Sequence, residues 1–209
     1  MTRGEGSYPY RPEPLGALRC TLNAAFFWFE LDSAIQKIQS DMNSIVIMGV
    51  AGCGKSSVGA RVAQAMAWPL VEGDDHHSDA NRHKMQSGIA LTDADRQGWL
   101  ATLATQITLQ PQGVVVTCSA LKRSYRERLR QASPGLRFAF LQISQTEAQA
   151  RVTARAAQHF FNTALVDNQF ATLESPEGEA GVLTLDATRS LDALQAEICT
   201  WLLPAKELA

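Results

Sequence analysis

Apolar residues recur along this chain with two periods that alternate. Ile45 to Met48 form a continuous apolar run of strand character. Val58, Val62 and Met66 then return every four residues, the spacing of one helix face. A second strand is expected over 69–72. Thr92 is placed to cap the next helix with Asp95 at its third position, a variant capping box, and Trp99, Leu103 and Ile107 mark that helix's inner face. Residues 114–118 are a β-branched run, as a buried central strand requires. Leu121, Tyr125 and Leu129 line the following helix, which Ser133-Pro134-Gly135 should end. A strand over 136–143 and a helix over 146–156 come next. Then follow a loop over 158–162, a short helix over 165–173 and a turn over 178–181. A strand over 182–185 precedes a last helix carrying Leu191, Leu194, Ile198 and Trp201. Alternating strands and helices predict an α/β fold, with a five-stranded parallel sheet covered by helices on both faces.

Residues 1–41 stand apart. Up to Leu15 they carry Gly, Pro, Tyr and Arg without periodicity, which predicts a poorly ordered start. A short helix is expected from Ser33 to Asp41. Met42 lies just ahead of the first convincing strand, so the functional domain is expected to span 42–209, with 1–41 an extension or a misassigned start.

With 209 residues the chain has the length of one domain with a substantial core. A net charge of −2 provides no global basic field, so nucleic acid is not expected as a partner. The four cysteines are widely separated, with no C-x-x-C pair, which points away from zinc or a disulfide framework and toward a reduced cytoplasm. No apolar run reaches the length of a membrane span, and the aromatic cluster at 24–29 is too short for a signal-peptide core.

Three groups of residues carry chemistry. Between the first strand and the first helix lies Gly49-Val50-Ala51-Gly52-Cys53-Gly54-Lys55-Ser56-Ser57, the G-x-x-x-x-G-K-S pattern of a phosphate-binding loop in its required context. Its glycines let backbone N–H groups turn inward around anionic oxygens, and the helix N-terminus adds its positive end. Lys55 should reach the terminal phosphates of ATP, and the Ser56 hydroxyl should ligate Mg²⁺. Second, Glu72-Gly73-Asp74-Asp75 follows the second strand, at the edge where α/β sheets bind ligands. Asp74 is the candidate base for an acceptor hydroxyl, and Glu72 a candidate for the metal's outer sphere. The strands over 114–118 and 138–143 end without the acid a motor ATPase needs, and no Asn-Lys-x-Asp guanine-reading motif occurs. An acid directly after the second strand suits a small-molecule kinase. Third, His76, His77, Asn81, His83, Lys84 and Met85, with Asp93, Asp95, Arg96 and Trp99 beyond, form a polar stretch suited to a polyhydroxy or anionic substrate. A solvated His-rich loop is the alternative. Lys122, Arg126 and Arg130 share one helical stripe; such stripes are usually solvated, but Arg126 is close enough to the crevice to meet an anion.

These residues together resemble the gluconokinase family, which transfers phosphate from ATP to D-gluconate. The resemblance runs over about residues 44 to 186. It rests on the loop, on Gly73-Asp74-Asp75-His76-His77, and on Asp93-Ala94-Asp95-Arg96 followed by Trp99-Leu100. Cys118-Ser119-Ala120-Leu121-Lys122, then Tyr125-Arg126, and Gln169-Phe170-Ala171-Thr172-Leu173-Glu174-Ser175-Pro176 complete it. It implies the P-loop kinase fold of nucleoside monophosphate and shikimate kinases, a small lid near 155–163 and a homodimer. It implies that Gly49 to Ser56 hold ATP and Mg²⁺, that Asp74 meets the acceptor hydroxyl, and that His77, Lys84, Arg96, Lys122 and Arg126 serve gluconate. Lys55, Asp74 and Arg126 are then the catalytic candidates, and Arg151 or Arg155 contacts adenine or the transferring phosphate. The sequence departs from the family pattern at Glu72, where Asp is usual, at Ser78 in place of Pro, at Cys53 in place of Ser, and before His159, where one residue is extra. Rival readings are a kinase for another small acceptor, such as shikimate or adenylylsulfate, and a nucleotide-sensing module without turnover.

Overall fold

The computed structural model describes residues 44–156 and 163–203. Expectations for 1–41 and for the loop over 158–162 fall outside those residues. Five parallel strands form the sheet: β1 (Ile45–Met48), β2 (Leu70–Glu72), β3 (Val115–Cys118), β4 (Arg137–Gln142) and β5 (Val182–Asp186), in the spatial order β2-β3-β1-β4-β5. The helices are α1 (Lys55–Met66), α2 (Asp79–Gln86), α3 (Asp93–Thr108), α4 (Arg123–Ala132), α5 (Gln145–Ala156), α6 (Thr163–Thr172) and α7 (Leu191–Leu202).

β1 is central, flanked by β3 and β4 in register, and all four of its side chains are fully buried. Their alternation feeds two cores. Ile45 and Ile47 pack with Val58 and Val62 of α1, Val152 of α5, Val166 of α6 and Leu194 and Ile198 of α7. Val46 and Met48 pack on the opposite face with Trp99, Leu103 and Ile107 of α3 and Tyr125 and Leu129 of α4. Each such side chain contributes about 1.5–3 kcal/mol by leaving water. The strand that delivers the phosphate loop is therefore held from both sides.

The helix faces expected from the sequence are largely the buried ones, except that Leu191 at the start of α7 is exposed and Met66 and Trp201 are only partly buried; strand limits agree within two residues. The capping box is formed: Thr92 Oγ1 accepts from Asp95 N, and Thr92 N donates to the Asp95 carboxylate. One element was not anticipated. The His-rich stretch is ordered, as a 3₁₀ turn over Gly73–His76 followed by α2. Ser78 caps α2 by accepting from Asn81 N, and the buried Asn81 side chain donates to Asp95 O. Tertiary contact, not an apolar stripe, stabilises this helix.

Candidate active site

The phosphate loop leaves β1 at Gly49 and enters α1 at Gly54, whose φ of 101° lies in the left-handed region that suits glycine. No side chain caps α1. Its first N–H groups are left for a ligand, and an anion is the natural one. Lys55 Nζ donates to Gly49 O (3.1 Å) and Val50 O (3.0 Å), folded over its own loop. Ala51 N donates to Gln169 Oε1 of α6 at 2.6 Å.

At the end of β2, Glu72 accepts from Ser56 Oγ at 3.1 Å and also from Thr117 Oγ1 of β3. The adjacent turn is clamped by its backbone. Gly73 N donates to Thr117 Oγ1, and Gly73 O accepts from Trp99 Nε1 at 2.7 Å. A Cβ at Gly73 would stand 2.2 Å from Thr117 O, so no other residue fits there. Asp74, next in the chain, is exposed. His77 stacks on Trp99 with ring centroids 4.3 Å apart, and its Nδ1 is buried without a partner among the described residues.

One cleft of about 370 Å³ joins these parts. Lys55, Ser56 and Ser57 line it beside Asp74, His77 and Arg96. Arg96 forms no ion pair among the described residues; its guanidinium lies 5.8 Å from the Tyr125 ring centre. Arg82, which the sequence reading passed over, also borders the cleft, and its Nε and a terminal nitrogen donate to His77 O and Asp75 O. Of the α6 residues on the cleft, Gln169 and Thr172 belong to a block that carries the family resemblance but had no site role, and Asn168 was passed over. Only contacts more than a hundred residues apart in sequence reveal them.

Three expected substrate contacts do not reach the cleft. Arg126 is fully buried: its guanidinium donates to Ala120 O (2.8 Å) and Leu121 O (3.1 Å) and pairs with Glu179. It borders a separate hollow with Arg123 and Arg130. Its expected role at an anion is corrected to a structural one. Lys84 Nζ is held by Asp95 (2.7 Å) and Lys122 Nζ by Asp93 (2.8 Å), so both brace the start of α3. Arg151 pairs with Glu147 and donates to Ala187 O. Arg155 falls in the last turn of α5, and its side chain lies outside the described residues.

Burial holds the His77 imidazole below its ordinary pKa of 6.5; Asp74 opposes this, while Arg96 and Arg82 reinforce it. Below pH 6.5 the unfolded chain therefore binds more protons than the folded one. The His77 contribution is complete above that pH and is lost as pH falls through it. Thermal melting should weaken on acidification through this range, and His77→Gln should flatten that part of the curve. An unchanged slope in the variant would exclude His77 as its source. Asp95 is held well below its ordinary 3.8, first by Lys84, so its contribution is lost only in more acid solution.

A parallel sheet of this order, with a glycine-rich loop between β1 and α1 and acids after β2, defines a P-loop nucleotide-binding phosphotransferase. The AAA domain family matches residues 45–176. The gluconokinase of Gluconobacter oxydans (strain 621H) is 39% identical over 157 residues, covering 74% of this chain and 88% of the relative. The thermoresistant gluconokinase of Escherichia coli (strain K12) is 38% identical over 162 residues, covering 75% and 91%. The crystal structure of a gluconokinase from Sinorhizobium meliloti 1021 superposes with a TM-score of 0.72 at 43% identity, covering 78% of this chain and 92% of that one. The chain belongs to the gluconokinase family. Among the described residues, no helix is long and apolar enough to cross a membrane.

Proposed function

We propose that the chain transfers the γ-phosphoryl group of ATP to the 6-hydroxyl of D-gluconate, giving 6-phosphogluconate and ADP. The observation that carries this reading is the cleft that the phosphate loop lines together with Asp74 and with Arg96, which forms no ion pair among the described residues. Backbone N–H groups from Gly54 to Ser57, at the end of the loop and the uncapped start of α1, cradle the phosphates, and Lys55 exchanges the loop carbonyls for phosphate oxygens. Asp74 accepts the proton of the 6-hydroxyl as that oxygen bonds to the γ-phosphorus and the bond to the bridging oxygen of ADP breaks. Arg96, aided by Arg82, holds the sugar-acid carboxylate, a pairing in which guanidinium forks are favoured. His77, which lines the cleft, serves a substrate hydroxyl. Lys84 and Lys122 act at one remove, through Asp95 and Asp93.

Ser56 and Glu72 present only oxygen donors and stand 3.1 Å apart, a set that fits Mg²⁺ bound by one hydroxyl, phosphates and water. Bound there, Mg²⁺ would offset charge on the transferring group. Arg155 is retained as the candidate for the nucleotide's outer side. A cytoplasmic homodimer belongs to the same proposal.

ADP release, coupled to a dehydrogenase readout, should depend on gluconate and be far weaker with shikimate, adenylylsulfate or other sugar acids. ATP binding without acceptor-dependent ADP would favour the sensing module instead. Preference for another acceptor would replace gluconate.

A further inference from the structure

The α6 residues Leu165, Asn168, Gln169 and Thr172 all line the cleft. Their spacing is i, i+3, i+4 and i+7, one stripe of a helix. On another face Val166 is fully buried and Phe170 packs against the first core, so α6 cannot roll freely. Gln169 fixes it further: the 2.6 Å bond from Ala51 N ties α6 to the phosphate loop itself.

The chemistry of this wall differs from the rest of the cleft. Lys55, Asp74, Arg82 and Arg96 are ionic, and they suit phosphate, a reacting hydroxyl and a carboxylate. The polar α6 groups are all neutral. A primary amide donates and accepts, and a hydroxyl does both. These are the partners that a chain of secondary alcohols needs, since each alcohol is itself donor and acceptor. Thr172 Oγ1 already donates to Asn168 O at 2.7 Å, which leaves its lone pairs to accept. The Asn168 amide nitrogen has no acceptor among the described residues, and the residue is exposed on the cleft.

We propose that Asn168 and Thr172 read the hydroxyls along the acceptor's carbon chain and so set the choice among sugar acids, with Gln169 as the positioning residue that holds them against the phosphate loop. This rests on the phosphoryl-transfer reading given above. It assigns the carboxylate to Arg96 and Arg82, the alcohols to α6, and the reacting hydroxyl to Asp74.

Steady-state kinetics of Asn168→Ala and Thr172→Val test it, with gluconate, its epimers and its monodeoxy derivatives as acceptors. KM for gluconate should rise roughly three- to tenfold, the scale of one lost neutral hydrogen bond. KM for ATP should stay within about twofold. At least one epimer or deoxy acceptor, already weak with the parent enzyme, should be weakened no further by the variant, because the contact it lacks is the one removed. Equal loss across every acceptor, or no loss with any, overturns the proposal. Thr172→Val keeps the side-chain shape, so a folding defect in one variant does not spare the idea. If the parent enzyme ignores gluconate altogether, the phosphoryl-transfer reading falls and takes this inference with it. If the parent enzyme uses gluconate and both variants match it, only this inference falls.

Discussion

Asp74→Asn is expected to lower kcat by at least ~10²-fold, the scale of a lost general base. Asparagine matches aspartate in size, and the turn that carries it is fixed by its neighbours rather than by Asp74. Gly73 is held by Thr117 and Trp99 through its own backbone. Asp74 is exposed, and its carboxylate has no hydrogen-bond partner among the described residues. The substitution should therefore leave the melting temperature and ATP binding nearly unchanged while removing the proton acceptor. Single-turnover quench measurements are the right check, because slow product release can hide a chemical step in kcat. A variant that forms 6-phosphogluconate at near-normal rate in one turnover would take Asp74 out of the mechanism. The acid at risk would then be Glu72, whose bonds to Ser56 and Thr117 place it beside the loop.

What the sequence could tell followed from how local each signal is. β1, the loop and α1 were legible because a four-residue apolar run, fixed glycines and a four-residue repeat all act within some twenty positions. The Thr92–Asp95 capping box was legible for the same reason. Helix α2 was not. Its residues are nearly all polar, and it is held by Asn81 reaching Asp95 across fourteen positions. The acceptor side of the cleft was half legible. Asp74 was legible as the acid after β2, and His77 and Arg96 as parts of the polar stretch that follows it. The α6 wall joins the loop through Gln169, 118 residues away from Ala51, and nothing in local pattern shows that. Arg126 misled for a related reason. A stripe of Lys122, Arg126 and Arg130 reads as charge offered to solvent or an anion, and the carboxylate that neutralises it lies 53 residues further on.

Arg126→Ala is the test of that correction. The guanidinium is fully buried, and its partner Glu179 is only 12% exposed. Removing one member of a buried pair costs about 3–5 kcal/mol when the other is left unpaired; Glu179 keeps Arg130 at 3.1 Å, so the loss should lie at or below the low end of that range. The loss extends beyond the pair. Arg126 also bonds Ala120 O, and Ala120 holds a left-handed φ of 45°, unfavourable for a residue with a Cβ. Ser119, just before it, borders the cleft. Denaturant unfolding should shift to a lower midpoint with little change in slope. The acid dependence should change as well. In the parent protein Arg126, with Arg130, holds the Glu179 carboxyl below its ordinary 4.5, so that contribution is present above this value and is lost as pH falls below it. The variant should lose much of this acid dependence because its stabilising partner is gone. Arg126→Met combined with Glu179→Leu should regain much of the stability, since two matched apolar groups bury no unpaired charge. The folded fraction of Arg126→Ala, assayed well below its midpoint, should keep its KM for gluconate within about twofold. A KM raised tenfold or more with unfolding unchanged would return Arg126 to the substrate and reverse the correction.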